Sequence, residues 1–161
     1  MHTWTPLLTA HVIGAGFAVL TGAVMALRRQ RGDRLHRRLG RAWFVAMYWV
    51  TLSSFGIQEL TPGRYSWIHG LSAFTLCTLT LSLWGARTGR IRVHRRNALG
   101  SYFGLLGAGI AASAFPHRLI PETLVHDPVS FAAAVGGVVL AFTGTLALLA
   151  RRPTQRILAR A

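Results

Sequence analysis

The stretch Arg34-Leu35-His36-Arg37-Arg38 returns 58 residues later as Arg92-Val93-His94-Arg95-Arg96. The same offset carries His11 onto His69 and Arg29 onto Arg87, so each copy reads as His, 24 residues, then His-Arg-Arg. After a short insertion the match continues, with Leu39-Gly40 answering to Leu99-Gly100, Ser53 to Ser113 and Phe55 to Phe115. Self-similarity at a fixed spacing is the mark of a repeated structural unit. Arginine-rich turns in an arginine-rich chain resemble one another by chance, but two histidine pairs in one register argue for internal duplication.

Between and around these basic stretches lie apolar runs of the length needed to cross a bilayer as a helix, about 20 residues. They are Leu7–Leu27, Ala42–Leu60, Trp67–Ala86, Leu99–Phe115 and Val129–Ala150. The expected fold is all-α: an integral membrane bundle of five transmembrane helices. Residues 7–60 form one helical hairpin, residues 67–115 a like hairpin, and residues 129–150 an added fifth helix, all within a single membrane domain over 1–161. At 161 residues, 52% of them hydrophobic, one domain is what the length allows.

The formal charge of +14 would point to nucleic acid in a soluble protein. Here the basic side chains, all arginine, sit in the gaps between apolar runs, where membrane topology accounts for them and no nucleic acid is needed. Residues 28–41 hold seven arginines, 87–96 five and the carboxyl-terminal tail four, whereas the opposite side holds only Arg64 and Arg118. The positive-inside rule then sets the amino terminus outside and the carboxyl terminus in the cytoplasm of a plasma membrane. The amino terminus lacks the basic segment of a cleavable signal peptide. Cys77, the one cysteine, lies inside an apolar run and reads as a small lipid-embedded filler.

Local signals refine this plan. Gly32 is suited to ending the first helix and Asp33 to capping the second. Thr61-Pro62-Gly63-Arg64 is a tight turn. His11, Ala15, Ala18 and Gly22 share one helical face, a stripe that admits either a close helix or a flat ligand. His69, Ala73, Cys77 and Thr80 line the smaller face of the third span. Gly100, Gly104 and Ala108, with Gly107 and Ala111, predict that the fourth helix packs at the bundle centre.

Intramembrane histidines are functional candidates because isolated polar groups there are costly. An axis along the membrane normal between the duplicated hairpins would set His11 opposite His69 near the outer face, and His36 opposite His94 near the inner face. Two opposed neutral imidazoles are what the iron of haem b accepts as axial ligands; His11 and His69 are the first candidates. His36 and His94 are the second cofactor candidates, although their arginine neighbours suit anionic lipid, a phosphate-bearing group or a quinone-like ligand better than haem. Arg34, Arg37, Arg38, Arg92, Arg95 and Arg96 are the expected contacts for anionic lipid headgroups.

A metal-binding or transport-related membrane protein is the alternative. His11, His69, His117 and His126 with Glu122, joined by Glu59 and Asp127, offer nitrogen and oxygen ligands for zinc or copper on the outer side, at spacings that match no compact motif. Glu59 with a histidine would serve acid–base chemistry, with no nucleophile to accompany it. Phosphate loops, serine elbows and CxxC pairs are absent from the sequence. A third reading is a non-catalytic membrane subunit that binds lipid or a partner through its arginine turns, the partner being a second copy of the chain or a membrane redox protein.

With its early His11, the segment Leu35-His36-Arg37-Arg38-Leu39-Gly40-Arg41 and His69 opening a later span, the chain resembles a family of small bacterial membrane proteins of unassigned function. The resemblance covers residues 7–115 and implies a multi-helix membrane protein without implying an activity. The second basic stretch departs from the pattern, reading Arg96-Asn97-Ala98-Leu99-Gly100. In general plan the chain is also similar to bis-histidine b-type membrane cytochromes.

Overall fold

The computed structural model describes residues 5–57, 67–114 and 128–150. These form helices α1 (Pro6–Leu27), α2 (Arg34–Ser53), α3 (Trp67–Arg87), α4 (Ile91–Ala114) and α5 (Pro128–Ala150), with a single 3-10 turn at Ser54–Gly56. Among the described residues there are no strands, so the all-helical expectation holds.

The ends of α1 and α2 follow from their residues. Thr5 caps α1 by accepting from the Leu8 N–H at 3.2 Å, and Pro6 occupies the first turn, where its missing donor is not needed. Gly32 and Gly89 take φ of +80° and +72°, the region open to glycine, in the two short connections that reverse the chain. Asp33 starts α2: one carboxylate oxygen accepts from the His36 N–H at 2.9 Å and the other pairs with Arg28 at 2.6 Å. One side chain thereby caps the second helix and ties it to the end of the first.

Several boundaries differ from the sequence reading. α2 stops at Ser53 instead of continuing to Leu60. The hydroxyls of Thr51, Ser53 and Ser54 turn back onto the carbonyls of Met47, Val50 and Thr51. Such bonds compete with helix continuation, and the chain tightens into the 3-10 turn. At the other end, α2 begins within the first basic stretch, as its Asp33 cap implies, and α4 likewise begins within the second, so Arg92, Arg95 and Arg96 ride on a helix instead of a turn. Among the described residues only α1 is long and apolar enough throughout to cross a membrane, with a shorter apolar stretch at Phe131–Thr145 in α5. α2 and α4 are diluted by their arginine-bearing starts, and α3 by its serines and threonines.

The strongest packing lies within the pairs α1–α2 and α3–α4, and α5 lies against α1. α1, not α4, is the central helix, since it touches α2, α4 and α5. Its small residues explain this. Ala18 is fully buried and its carbonyl accepts from the Trp43 indole at 3.1 Å. A Cβ at Gly22 would stand 2.5 Å from the Tyr102 ring and 2.9 Å from the Trp43 nitrogen. Ala18, Trp43, Met47, Leu79 and Tyr102 make the buried core. By contrast, a Cβ at Gly100, Gly104 or Gly107 would meet nothing, so the small residues of α4 leave space instead of drawing a helix close.

Candidate functional site

The space that α4 leaves becomes a cavity of about 710 Å³ bounded by all five helices. Ala15, Gly16, Gly104 and Ala108 keep its walls low, while Val138 and Phe131 of α5 close one side. Its lining is apolar except for the hydroxyls of Thr51, Ser54, Ser72 and Thr75 and one imidazole, that of His11. Ligand pockets commonly span roughly 300–1,000 Å³ with an apolar lining and a few placed polar groups. The stripe on α1 is therefore divided: Ala18 and Gly22 serve packing, and His11 and Ala15 face the cavity.

Nδ1 of His11 lies 2.8 Å from the Ser53 hydroxyl oxygen, and that hydroxyl donates its proton to the Val50 carbonyl at 3.1 Å. With the serine proton on Val50, Ser53 accepts from His11, Nδ1 carries the hydrogen and Nε2 keeps its lone pair. A ring whose outer nitrogen is held by a hydrogen bond and whose inner nitrogen is bare has the electronic form of a metal ligand.

His69 is 6% exposed and lies against the Phe55 ring, centroids 5.9 Å apart. It stands one helical turn before Ser72, which lines the cavity and bonds Ser54 at 2.7 Å. The end of α2 thus receives both histidines, His11 on Ser53 and His69 on Phe55. The face of α3 that looked smaller in sequence is turned outward at Ala73, Cys77 and Thr80; the inward face is His69, Ser72, Leu79 and Ser82. The periodicity was ambiguous because α3 carries polar residues where a soluble helix would carry leucines.

At the other end of the bundle, His36 and His94 face each other with ring centroids 6.5 Å apart and planes at 87°. His94 is clasped by Ser82. Its Nδ1 donates to the Ser82 carbonyl at 3.1 Å while the Ser82 hydroxyl donates to the His94 carbonyl at 2.9 Å. Gly85 permits that approach, because a Cβ there would come within 2.8 Å of the His94 nitrogen. Burial first, then the neighbouring His94, hold His36 below the ordinary imidazole range, with Arg28 and Arg31 adding to the effect and Asp33 opposing it. Lowering favours the neutral ring, the form that coordinates metals.

The distribution of polarity is that of a protein dissolved in lipid. Thr21, Thr51, Ser53, His69, Ser72, Ser82 and Ser101 are buried, while Phe74, Leu81, Phe103, Ile110 and Leu140 are exposed. In a bilayer the polar side chains turn inward and bond one another, as Thr78 does with Ser101 at 2.9 Å. Residues 8–151 match the family described as Predicted membrane protein (DUF2306). The chain belongs to this family. Its members are membrane proteins of unknown function, and the match extends the sequence resemblance through α5. No curated protein and no solved structure matches the chain.

In this membrane protein the remaining candidates separate cleanly. Arg34, Arg37, Arg38, Arg92, Arg95 and Arg96 are all exposed, on the first turns of α2 and α4. His117, His126 and Glu122, with Glu59 and Asp127, lie outside the described residues. Among the described residues no three histidine, cysteine, aspartate or glutamate side chains are grouped to hold a metal ion. Ser53 and Ser82, which fix the histidines, were not singled out in the sequence. The only trace of Ser53 was its place in the repeat, and nothing marked Ser82, since serine is common in membrane helices.

Proposed function

We propose that this membrane protein binds haem b in the interhelical cavity, with His11 as one axial ligand and His69 as the other, in a redox-associated role. The single observation that supports it is the His11 ring, which lines an apolar cavity with Nδ1 bonded to Ser53 at 2.8 Å, the arrangement in which Nε2 would take a ligand. His69 is buried against Phe55, one turn before the cavity-lining Ser72 on α3, so the two ligands would come from different hairpins. Haem iron supplies one-electron chemistry; the chain's own groups fix the ligand tautomer, exclude water and accommodate the ring beside Ala15, Gly16 and Gly104. In the same reading all five helices span the plasma membrane, with the arginine-bearing helix starts in the cytoplasm.

The test is the absorption spectrum of the full chain purified in detergent from haem-replete cells. The reading expects a Soret band that His11→Ala or His69→Ala diminishes. A protein that is folded, haem-free and unable to take up added haemin would contradict it. A second, separate role is favoured at the inner end by the six exposed arginines: contact with anionic lipid headgroups.

A further inference from the structure

The pair His36 and His94 stands apart from that cavity. Ser53, which holds His11, is 17 residues beyond His36 on α2, about 25 Å along the helix at 1.5 Å per residue. The two rings belong to equivalent positions of the duplicated hairpins, near the starts of α2 and α4.

Their separation has a chemical meaning. An imidazole nitrogen sits about 2.0–2.1 Å from a first-row metal with its ring centre about 1.2 Å behind, so two rings on opposite sides of one ion place their centres roughly 6.4 Å apart. Here they are 6.5 Å apart. Nδ1 of His94 lies 3.1 Å from both the Ser82 carbonyl and the Ser82 hydroxyl; with the hydroxyl proton on the His94 carbonyl, Nδ1 carries the hydrogen and Nε2 has the lone pair. On His36, Nδ1 is buried with no hydrogen-bond partner, a costly state for a polar atom and one that coordination through Nδ1 would relieve. Phe44 lies beside His94, centroids 6.2 Å apart, as an apolar wall.

The number of ligands identifies the occupant. A bare zinc or copper ion takes about four ligands, and no third metal-binding side chain is grouped with these two among the described residues. A porphyrin brings its own equatorial nitrogens and needs only two axial ligands. Its carboxylates require cations, and Arg37, Arg38, Arg95 and Arg96 flank the two histidines in the chain and are exposed at the same end. We infer that His36 and His94 are the axial ligands of a second haem, held between α2 and α4 at the arginine-bearing end of the bundle. This site is independent of the cavity at His11 and stands or falls separately.

Crossed ligand planes leave two of the iron d orbitals nearly degenerate, and this produces a strongly anisotropic low-spin ferric electron paramagnetic resonance signal. The experiment is haem quantification and resonance spectroscopy on the full chain purified in detergent, alongside His36→Ala, His94→Ala and His11→Ala. Two haem groups per chain are expected, with the anisotropic signal and half of the haem lost in either inner variant and retained in His11→Ala. A His36→Gly variant supplied with free imidazole should recover the signal, which separates ligation from folding. Haem content and resonance signal unchanged in both His36→Ala and His94→Ala would overturn the inner site and leave the His11 reading intact. Loss in His11→Ala alone would have the same meaning. A folded chain holding no haem would overturn both.

Discussion

His11 and Ser53 are joined by a 2.8 Å hydrogen bond across 42 residues of chain, in which the serine is the acceptor when its own proton goes to Val50. That bond links α1 to the end of α2 at the cavity edge and selects which imidazole nitrogen faces a ligand. Removing such an outer partner of a metal-bound histidine generally costs about 10–100-fold in affinity. Ser53→Ala should therefore weaken haemin binding by about that factor, with Ser53→Thr restoring most of it. Equal affinity in all three proteins would show that the serine does not orient the ring.

Glycines at two places predict opposite outcomes. Gly22→Ala forces a methyl into the Tyr102 and Trp43 rings of the core and should destabilise the bundle by about 1–3 kcal/mol, read as a lower melting temperature in detergent. Gly104→Ala meets no neighbour and replaces a poor helix former with a good one, so stability should hold or rise by up to about 1 kcal/mol while the cavity shrinks. Similar melting temperatures for the two variants would contradict the division between core and cavity.

The cap of α2 should respond to acid. The His36 backbone N–H, helped by the bond and charge of Arg28 and by the charge of His36, holds the Asp33 carboxyl below its usual range, against a smaller opposing effect of desolvation. A carboxyl more acidic in the folded than the unfolded chain binds fewer protons when folded. Its stabilising contribution is complete above the unfolded titration range, near roughly pH 4, and is lost as pH falls through that range to the folded value. Asp33→Asn should keep a cap and lose this acid dependence, whereas Asp33→Ala should weaken the α2 start at every pH. Thermal melts between neutral pH and acid measure both; parallel pH profiles for the wild type and Asp33→Asn would show that Asp33 does not supply the dependence.

Sidedness is open to labelling. In a Cys77→Ala background, a cysteine at exposed Arg31 should react with a membrane-impermeant thiol reagent only when the cytoplasmic face is opened. Reaction from the outside of intact cells would reverse the orientation.

Much of this was legible in the sequence. The 58-residue self-match placed His36 opposite His94, and Gly32 and Asp33 end one helix and start the next as their chemistry dictates. What sequence could not give was depth and direction. Small residues on α1 and α4 look alike as letters, yet Gly22 lies under a tyrosine and Gly104 beside a void, because the partner helices decide which gap is filled. The inward turn of α3 was hidden for a related reason: in lipid, serines can take the buried positions that leucines would take in water, so hydrophobic periodicity no longer marks the core. Ser53 and Ser82 acquire their roles only once α2 ends early and Gly85 lets α4 approach.

The most direct test is the dithionite-reduced minus air-oxidised difference spectrum of the purified full chain. The account predicts a narrow α band and a shifted Soret band of six-coordinate bis-imidazole haem b, reduced in His11→Ala. A featureless difference spectrum from folded protein incubated with haemin would contradict it.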